Sequence, residues 1–328
     1  MRYSKKKLFS VAAALVLLTV AGVVAWQLVP SSAEAMRGST AIVEQEAWQE
    51  VCIDGKARLY FSGAAGDSAF LGVTANRDSA IHRHRMAGCW MNRWALVPSC
   101  MGRIATVYNA MPVAPRVGGD SVIARLCRQS IAAQLKTLKS QKSELGYYLR
   151  VHGVQDNGYQ AIAALAARVD AAYADVARAG RLLDSLTDGG RHRLTIRSKA
   201  EYVAVCRDGD GKTRRVRLRV AGTDHKTHTM TLQTADGKTP DGAAPLSAAP
   251  WNISPRRGIL AVGYPGLGEQ GLECDTVSPV IVPGNMTAVG CHDLPRLLVT
   301  DGSPVFTRKG RFVGIVSGGK VLRRIKIY

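Results

Sequence analysis

Asp301-Gly302-Ser303-Pro304-Val305-Phe306 sets a carboxylate and a hydroxyl two residues apart around a glycine. Two chemistries fit that pair. Ser303 could attack as a hydroxyl nucleophile in acyl transfer if an imidazole, His292 or His225, took its proton, although no motif fixes either base beside it. Asp301 is a poor acyl nucleophile toward a peptide; its ordinary role would be structural, accepting bonds from neighbouring backbone amides. Acyl transfer also needs a carboxylate to orient the imidazole and donors for the oxyanion. The seven cysteines, Cys52, Cys89, Cys100, Cys127, Cys206, Cys274 and Cys291, show no Cys-x-x-Cys spacing. Buried thiols with one or two disulfides are therefore expected rather than a metal, and no cofactor is indicated.

Nine residues further on, Gly310-Arg311-Phe312-Val313-Gly314-Ile315-Val316-Ser317-Gly318-Gly319 extends the pattern. From Gly302 onward the chain resembles the C-terminal barrel of a divergent bacterial trypsin-like serine protease. There, Gly-Asp/Asn-Ser-Gly-Gly/Ser-Pro-Leu/Val precedes a hairpin and then Gly-Ile-Val-Ser-x-Gly. Gly263-Tyr264-Pro265-Gly266 also fits, and the resemblance runs over residues 190 to 320. It implies a mainly β fold, the trypsin-like double antiparallel β-barrel.

The same resemblance puts Asp301 on the nucleophile position, with Val299 where a glycine helps to form the oxyanion hole. His228, opening His228-Thr229-Met230-Thr231-Leu232-Gln233, falls on the carboxylate position, and Cys100, in Leu96-Val97-Pro98-Ser99-Cys100-Met101, on that of the imidazole. All three triad positions are thus replaced, which implies a pseudoprotease. Two rescues are weighed: Ser303 as a displaced nucleophile of an active serine endopeptidase, and a thiol site using Cys100, His228 and Asp301 in permuted positions. Val316, Ser317, Gly318 and Gly319 correspond to the strand that pairs with extended substrate, which implies binding of a peptide or protein without cleavage. Cys274 with Cys291 could close a loop beside the second barrel.

Residues Leu8 to Val29 carry no charge and follow Arg2, Lys5, Lys6 and Lys7, a pattern that fits a membrane-spanning helix with its N-terminus in the cytoplasm. Ala33-Glu34-Ala35 after Pro30 would suit signal cleavage, but the apolar run is long for a signal peptide, which favours an uncleaved anchor. The globular part is then exported, periplasmic or extracellular, and nucleic acid is set aside as a partner. A formal charge of +19 draws partly on Arg214, Arg215, Arg217 and Arg219. Their alternation with Val216, Leu218 and Val220 puts the arginines on one face of a strand, either as a solvated face or as an attraction to anionic lipid or envelope polymer.

With 328 residues and 46% hydrophobic content the chain can bury one two-barrel domain plus an extra element. Residues 1–30 read as the anchor, 31–47 as a tether, 48–119 as part of the first barrel and 191–328 as the rest of both barrels. The arginine–histidine cluster at 82–85 reads as a loop. Between 120 and 190, apolar residues recur at three- and four-residue steps in two runs, Ile123 to Leu149 and Tyr159 to Leu186, with Asp120 or Ser121 as a cap. They predict a long inserted helical hairpin, either self-packed or a docking arm for a partner.

Overall fold

The computed structural model describes residues 30–65, 69–93, 99–108, 119–188, 192–208, 210–247, 258–267, 277–287 and 290–323, with isolated positions 14, 22, 325, 327 and 328. Apart from positions 14 and 22, the expected anchor at Leu8 to Val29 lies outside them, as do the expected strand at 94–97 and Cys274. No described helix is long and apolar enough to cross a membrane. The chain divides into two units, one of residues 1–45, 84–109 and 201–328, the other of 46–83 and 110–200.

The first unit is antiparallel β. Helix α1 (Ala33–Gly38) leads into strand β1 (Thr40–Ile53). Strands β5 (His82–Met91), β6 (Arg103–Val107), β9 (Thr229–Thr234), β8 (Thr213–Asp224) and β7 (Leu194–Arg207) follow it in spatial order. Since β7 pairs back to β1, six strands close a barrel. A second sheet has the order β11 (Val280–Asn285), β10 (Gly258–Gly263), β12 (Pro304–Thr307), β13 (Phe312–Ser317) and β14 (Lys320–Leu322). Cys89, Met91 and Ala105 of the barrel bury against Val262, Phe306 and Ile315 of that sheet, so one apolar core spans both. A closed antiparallel barrel followed by a packed antiparallel sheet fits the trypsin-like fold.

Two segments differ from the sequence expectation. The tether is instead helix α1 and the start of β1, in which Ala41, Ile42 and Val43 are buried consecutively, a pattern that alternation does not detect. The arginine–histidine cluster is the start of β5, not a loop. Arg85 pairs with Glu44 at 3.3 Å within the first unit, and Arg83 with Glu46 at 2.9 Å within the second. Neighbouring-strand carboxylates neutralise charges that in isolation argue against a strand.

The second unit combines β2 (Lys56–Phe61), β3 (Gly63–Ala65), β4 (Ala69–Leu71) and the short helix α2 (Arg77–Ala80) with a hairpin of α3 (Asp120–Val151) and α4 (Tyr159–Thr187). Residues 48–83, expected in the first barrel, therefore belong largely with the helices. Phe61 stacks on Phe70 at 4.5 Å, and this pair shares a core with Ile123, Cys127 and Ile131 of α3 and Val176 and Leu183 of α4. The N-cap of α3 is Gly119 without a side-chain bond; Asp120 instead accepts the Leu194 amide at 2.9 Å.

One glycine is fixed by geometry. Gly302 has φ +89°, and a Cβ there would strike the Ala87 carbonyl oxygen and Thr106 Oγ1, which are themselves bonded at 2.6 Å. Gly302→Ala is expected to destabilise the chain by about 2–4 kcal/mol through the strained φ and the clash. Chemical denaturation of the two proteins measures this; an unchanged midpoint would contradict the geometry.

Candidate functional site

The stretch 299–303 is held by backbone bonds on every side. Asp301 O accepts from Ala87 N of the barrel at 3.1 Å, Gly302 N donates to Val316 O at 2.8 Å, and Val316 N donates to Ser303 O at 2.9 Å. Ser303 N closes the turn onto Thr300 O at 3.1 Å. One position upstream of that turn, Val299 N donates to Pro295 O at 3.0 Å. An amide bonded within its own turn cannot stabilise an oxyanion in a neighbouring cleft.

Side chains repeat the theme. Asp301 Oδ1 accepts from Gly318 N at 2.9 Å, so the carboxylate caps the β13–β14 turn. That turn is Gly318-Gly319, with φ of +55° and +78°, between the paired residues Ser317 and Lys320. Left-handed φ at both central positions is the requirement of a tight hairpin turn and explains the glycine pair. Ser303 is 0% exposed, and its Oγ has no partner among the described residues. A hydroxyl sealed from solvent cannot reach an external acyl group, so this geometry does not serve the displaced-nucleophile reading.

A cleft of about 430 Å³ opens beside Asp301, lined by His84, Arg85, His292, Arg296 and Thr300 among others, with Val107 at its barrel side. His292 Nδ1 accepts from Leu294 N at 3.2 Å, which places the neutral ring's proton on Nε2. That Nε2 and Thr300 Oγ1 are buried without partners among the described residues. Burial holds the His292 pKa below its ordinary value, against an upward pull from Asp293 and Asp301 and with a smaller downward push from Arg296. Mixed cationic and donor groups suit this cleft to holding a ligand. Neither ring nitrogen of His292 bonds Asp301 or Ser303: Nδ1 is taken by the Leu294 amide and Nε2 has no partner among the described residues.

The sequence-predicted set is not assembled. Cys100 is exposed and precedes β6, with its carbonyl accepting from Thr239 N at 3.1 Å. His228 lies in the β8–β9 turn with φ +52°, its carbonyl accepting from Tyr108 N at 2.7 Å. In the β6–β9 ladder Arg103 faces Gln233 and Val107 faces Thr229, so Cys100 and His228 sit at opposite ends, separated by about 13 Å of strand. The permuted thiol site is thereby corrected. Because Val107 lines the cleft, the strand end beside Asp301 belongs to Val107 and Tyr108.

The assignment of Val316, Ser317, Gly318 and Gly319 as an open substrate strand also changes. Strand β13 is flanked on both sides, by β12 and β14, and the Val316 amide and carbonyl are both engaged. The outer strand β14 is covered in part, with Val321 N donating to Gly290 O at 2.7 Å. Val316, Gly318 and Gly319 still line the cleft. The lining residues His84 and Arg85 escaped notice because their segment reads as a loop; His292 carried a signal only as a nearby imidazole.

The six described cysteines are free thiols, and Cys274 lies outside, so the Cys274–Cys291 pairing does too. Burial raises Cys127 to about 12 and Cys206 to about 11 and pushes Cys89 up as well, which makes these unreactive packing groups. Among the described residues no three His, Cys, Asp or Glu side chains cluster as a metal site.

No family model and no curated protein matches the sequence. Among solved structures the chain is similar to Deg5, with 11% identity and a TM-score of 0.35 over 86% of this chain and 81% of that one. It is similar to the MamO protease domain from Magnetospirillum magneticum, at 16% identity and 0.26 over 37% and 68%, and to the HtrA-type protease AlgW with decapeptide, at 13% and 0.32 over 89% and 62%. At such values the likeness carries no weight; strand order and the geometry around Asp301 do.

His292 yields a pH dependence. Its folded pKa lies below the ordinary 6.5, so the unfolded chain binds the proton first and stability falls as pH drops below about 6.5, until the folded value is passed. His292→Gln should flatten that part of the profile. Thermal denaturation of both proteins between about pH 7.5 and 5 checks it; parallel curves would exclude a burial effect at His292.

Proposed function

We propose that this chain is a trypsin-like pseudoprotease, exported and held at the membrane by residues Leu8 to Val29, which binds a peptide or protein partner without cleaving it. The observation that carries the reading is the Val299 amide, bonded to Pro295 O at 3.0 Å where a protease would need a free donor. Asp301 in the nucleophile position, engaged with Gly318 N, is consistent with it. Loss of an oxyanion donor alone removes about 2.7–4 kcal/mol of transition-state stabilisation, and here nucleophile and base are absent as well.

Partner binding is supported by the cleft lined by His84, His292, Arg296 and Thr300, in which His292 Nε2 and Thr300 Oγ1 are buried without partners among the described residues. Since Val316 has both backbone groups engaged, a ligand would be held by side chains rather than as an added strand. Export and anchoring rest on the uncharged run behind Arg2 and Lys5 to Lys7.

Incubation of the full chain with a fluorophosphonate is expected to give no covalent adduct, and Asp301→Ser is expected to remain inert because the Val299 donor is still turned away. Labelling that disappears in Ser303→Ala would overturn the proposal in favour of an active serine endopeptidase.

A further inference from the structure

Arg103 is 7% exposed, and neither its Nε nor its Nη1 has an acceptor among the described residues. A buried guanidinium without an acceptor is costly, and proteins nearly always supply one. Its direct neighbour across β9, Gln233, could have done so but is already committed. Gln233 Oε1 accepts from Arg219 Nη2 at 3.0 Å, and its Nε2 donates to Met101 O at 3.1 Å. The register Arg103–Gln233–Arg219 runs straight across β6, β9 and β8, so the two arginines share one face with an amide between them. The charges that bear on Arg103 are those of Arg93 and Arg219, and no carboxylate is among them; with burial as the larger cause they hold its pKa below the ordinary guanidinium range.

We propose that Arg103, with Arg219 on the same face, forms a binding site for a phosphate-type oxyanion on this face of the barrel. An acceptor-only ligand of more than one negative charge suits what the chain leaves open: the buried Arg103 Nε and Nη1, with no acceptor among the described residues, and a second guanidinium whose recorded bond is to the neutral Gln233 amide. A guanidinium group is the side chain best matched to phosphate oxygens. A single carboxylate would satisfy fewer donors and offset less of the charge. The site is separate from the Asp301 cleft and independent of whether that cleft binds a peptide.

The test uses the full chain in detergent, with thermal unfolding followed at increasing inorganic phosphate and at sodium chloride and acetate of matched ionic strength. Phosphate is expected to raise the Tm saturably, while chloride and acetate do not. Arg103→Met should keep or raise the Tm in chloride, since a well-packed apolar side chain replaces an unpaired buried charge, and should abolish the phosphate response. Arg219→Gln should weaken the apparent phosphate affinity about tenfold while leaving the fold intact. The proposal is overturned if the Tm follows ionic strength alone, if acetate acts as well as phosphate, or if the phosphate response survives Arg103→Met. Should that variant fail to fold, an undiminished phosphate response in Arg219→Gln overturns it instead.

Discussion

One peptide group, the one joining Asp301 to Gly302, ties a single turn to two sheets: its carbonyl accepts from Ala87 of the barrel, and its amide donates to Val316 of the second sheet. Gly302 continues the turn at φ +89° with its Cα close to the Ala87 carbonyl, where a Cβ would clash. The position of Asp301, the burial of Ser303 and the wall of the cleft all follow from that constraint. The core shared by Cys89, Met91, Phe306 and Ile315 joins the same two sheets by apolar contacts.

What the sequence made legible depended on whether the signal was local. The hairpin of α3 and α4 was readable because apolar residues at helical spacing need only their own neighbours to define a face. The turn at Gly302-Ser303-Pro304 was readable because glycine and proline constrain their own backbone. Strand β1 was not, because Ala41, Ile42 and Val43 are buried on both faces and show no alternation. Nor was β5, whose charges make sense only once Glu44 and Glu46 are placed beside Arg85 and Arg83.

The candidate site divides along the same line. Asp301 as a backbone-capping carboxylate could be anticipated from its place beside a turn, whereas the misplacement of Cys100 came from assigning a strand at 94–97 rather than β6 to the edge of the cleft. A shift of one strand moves a residue from one end of a ladder to the other, and here it carried Cys100 away from His228 by the length of β6. His292 could not be ranked from sequence, since its tautomer and its burial arise from the Leu294 amide and from packing that is distant in the chain.

The barrier to acyl transfer in this geometry lies as much in the backbone as in the side chains. Exchanging Asp301 for a hydroxyl residue supplies a nucleophile but leaves Val299 N pointing to Pro295 O, and freeing that amide means opening the turn from Pro295 to Val299, in which Leu298 N also donates to Pro295 O at 3.1 Å. Val299 is buried among Ile259, Val305 and Val313, so reorienting its peptide would disturb the core of the second sheet. A restored nucleophile would moreover need a base brought to it, because the β6 end beside the cleft carries Val107 and Tyr108 and the His292 ring bonds the Leu294 amide rather than Asp301. Nucleophile, base and oxyanion donors act as a unit and their losses do not add, so under the proposed reading a single repair would return little. Binding has no such requirement: a cleft lined by donors and cations works with whichever of them are present, so a fold of this kind can hold a ligand whether or not it performs the chemistry.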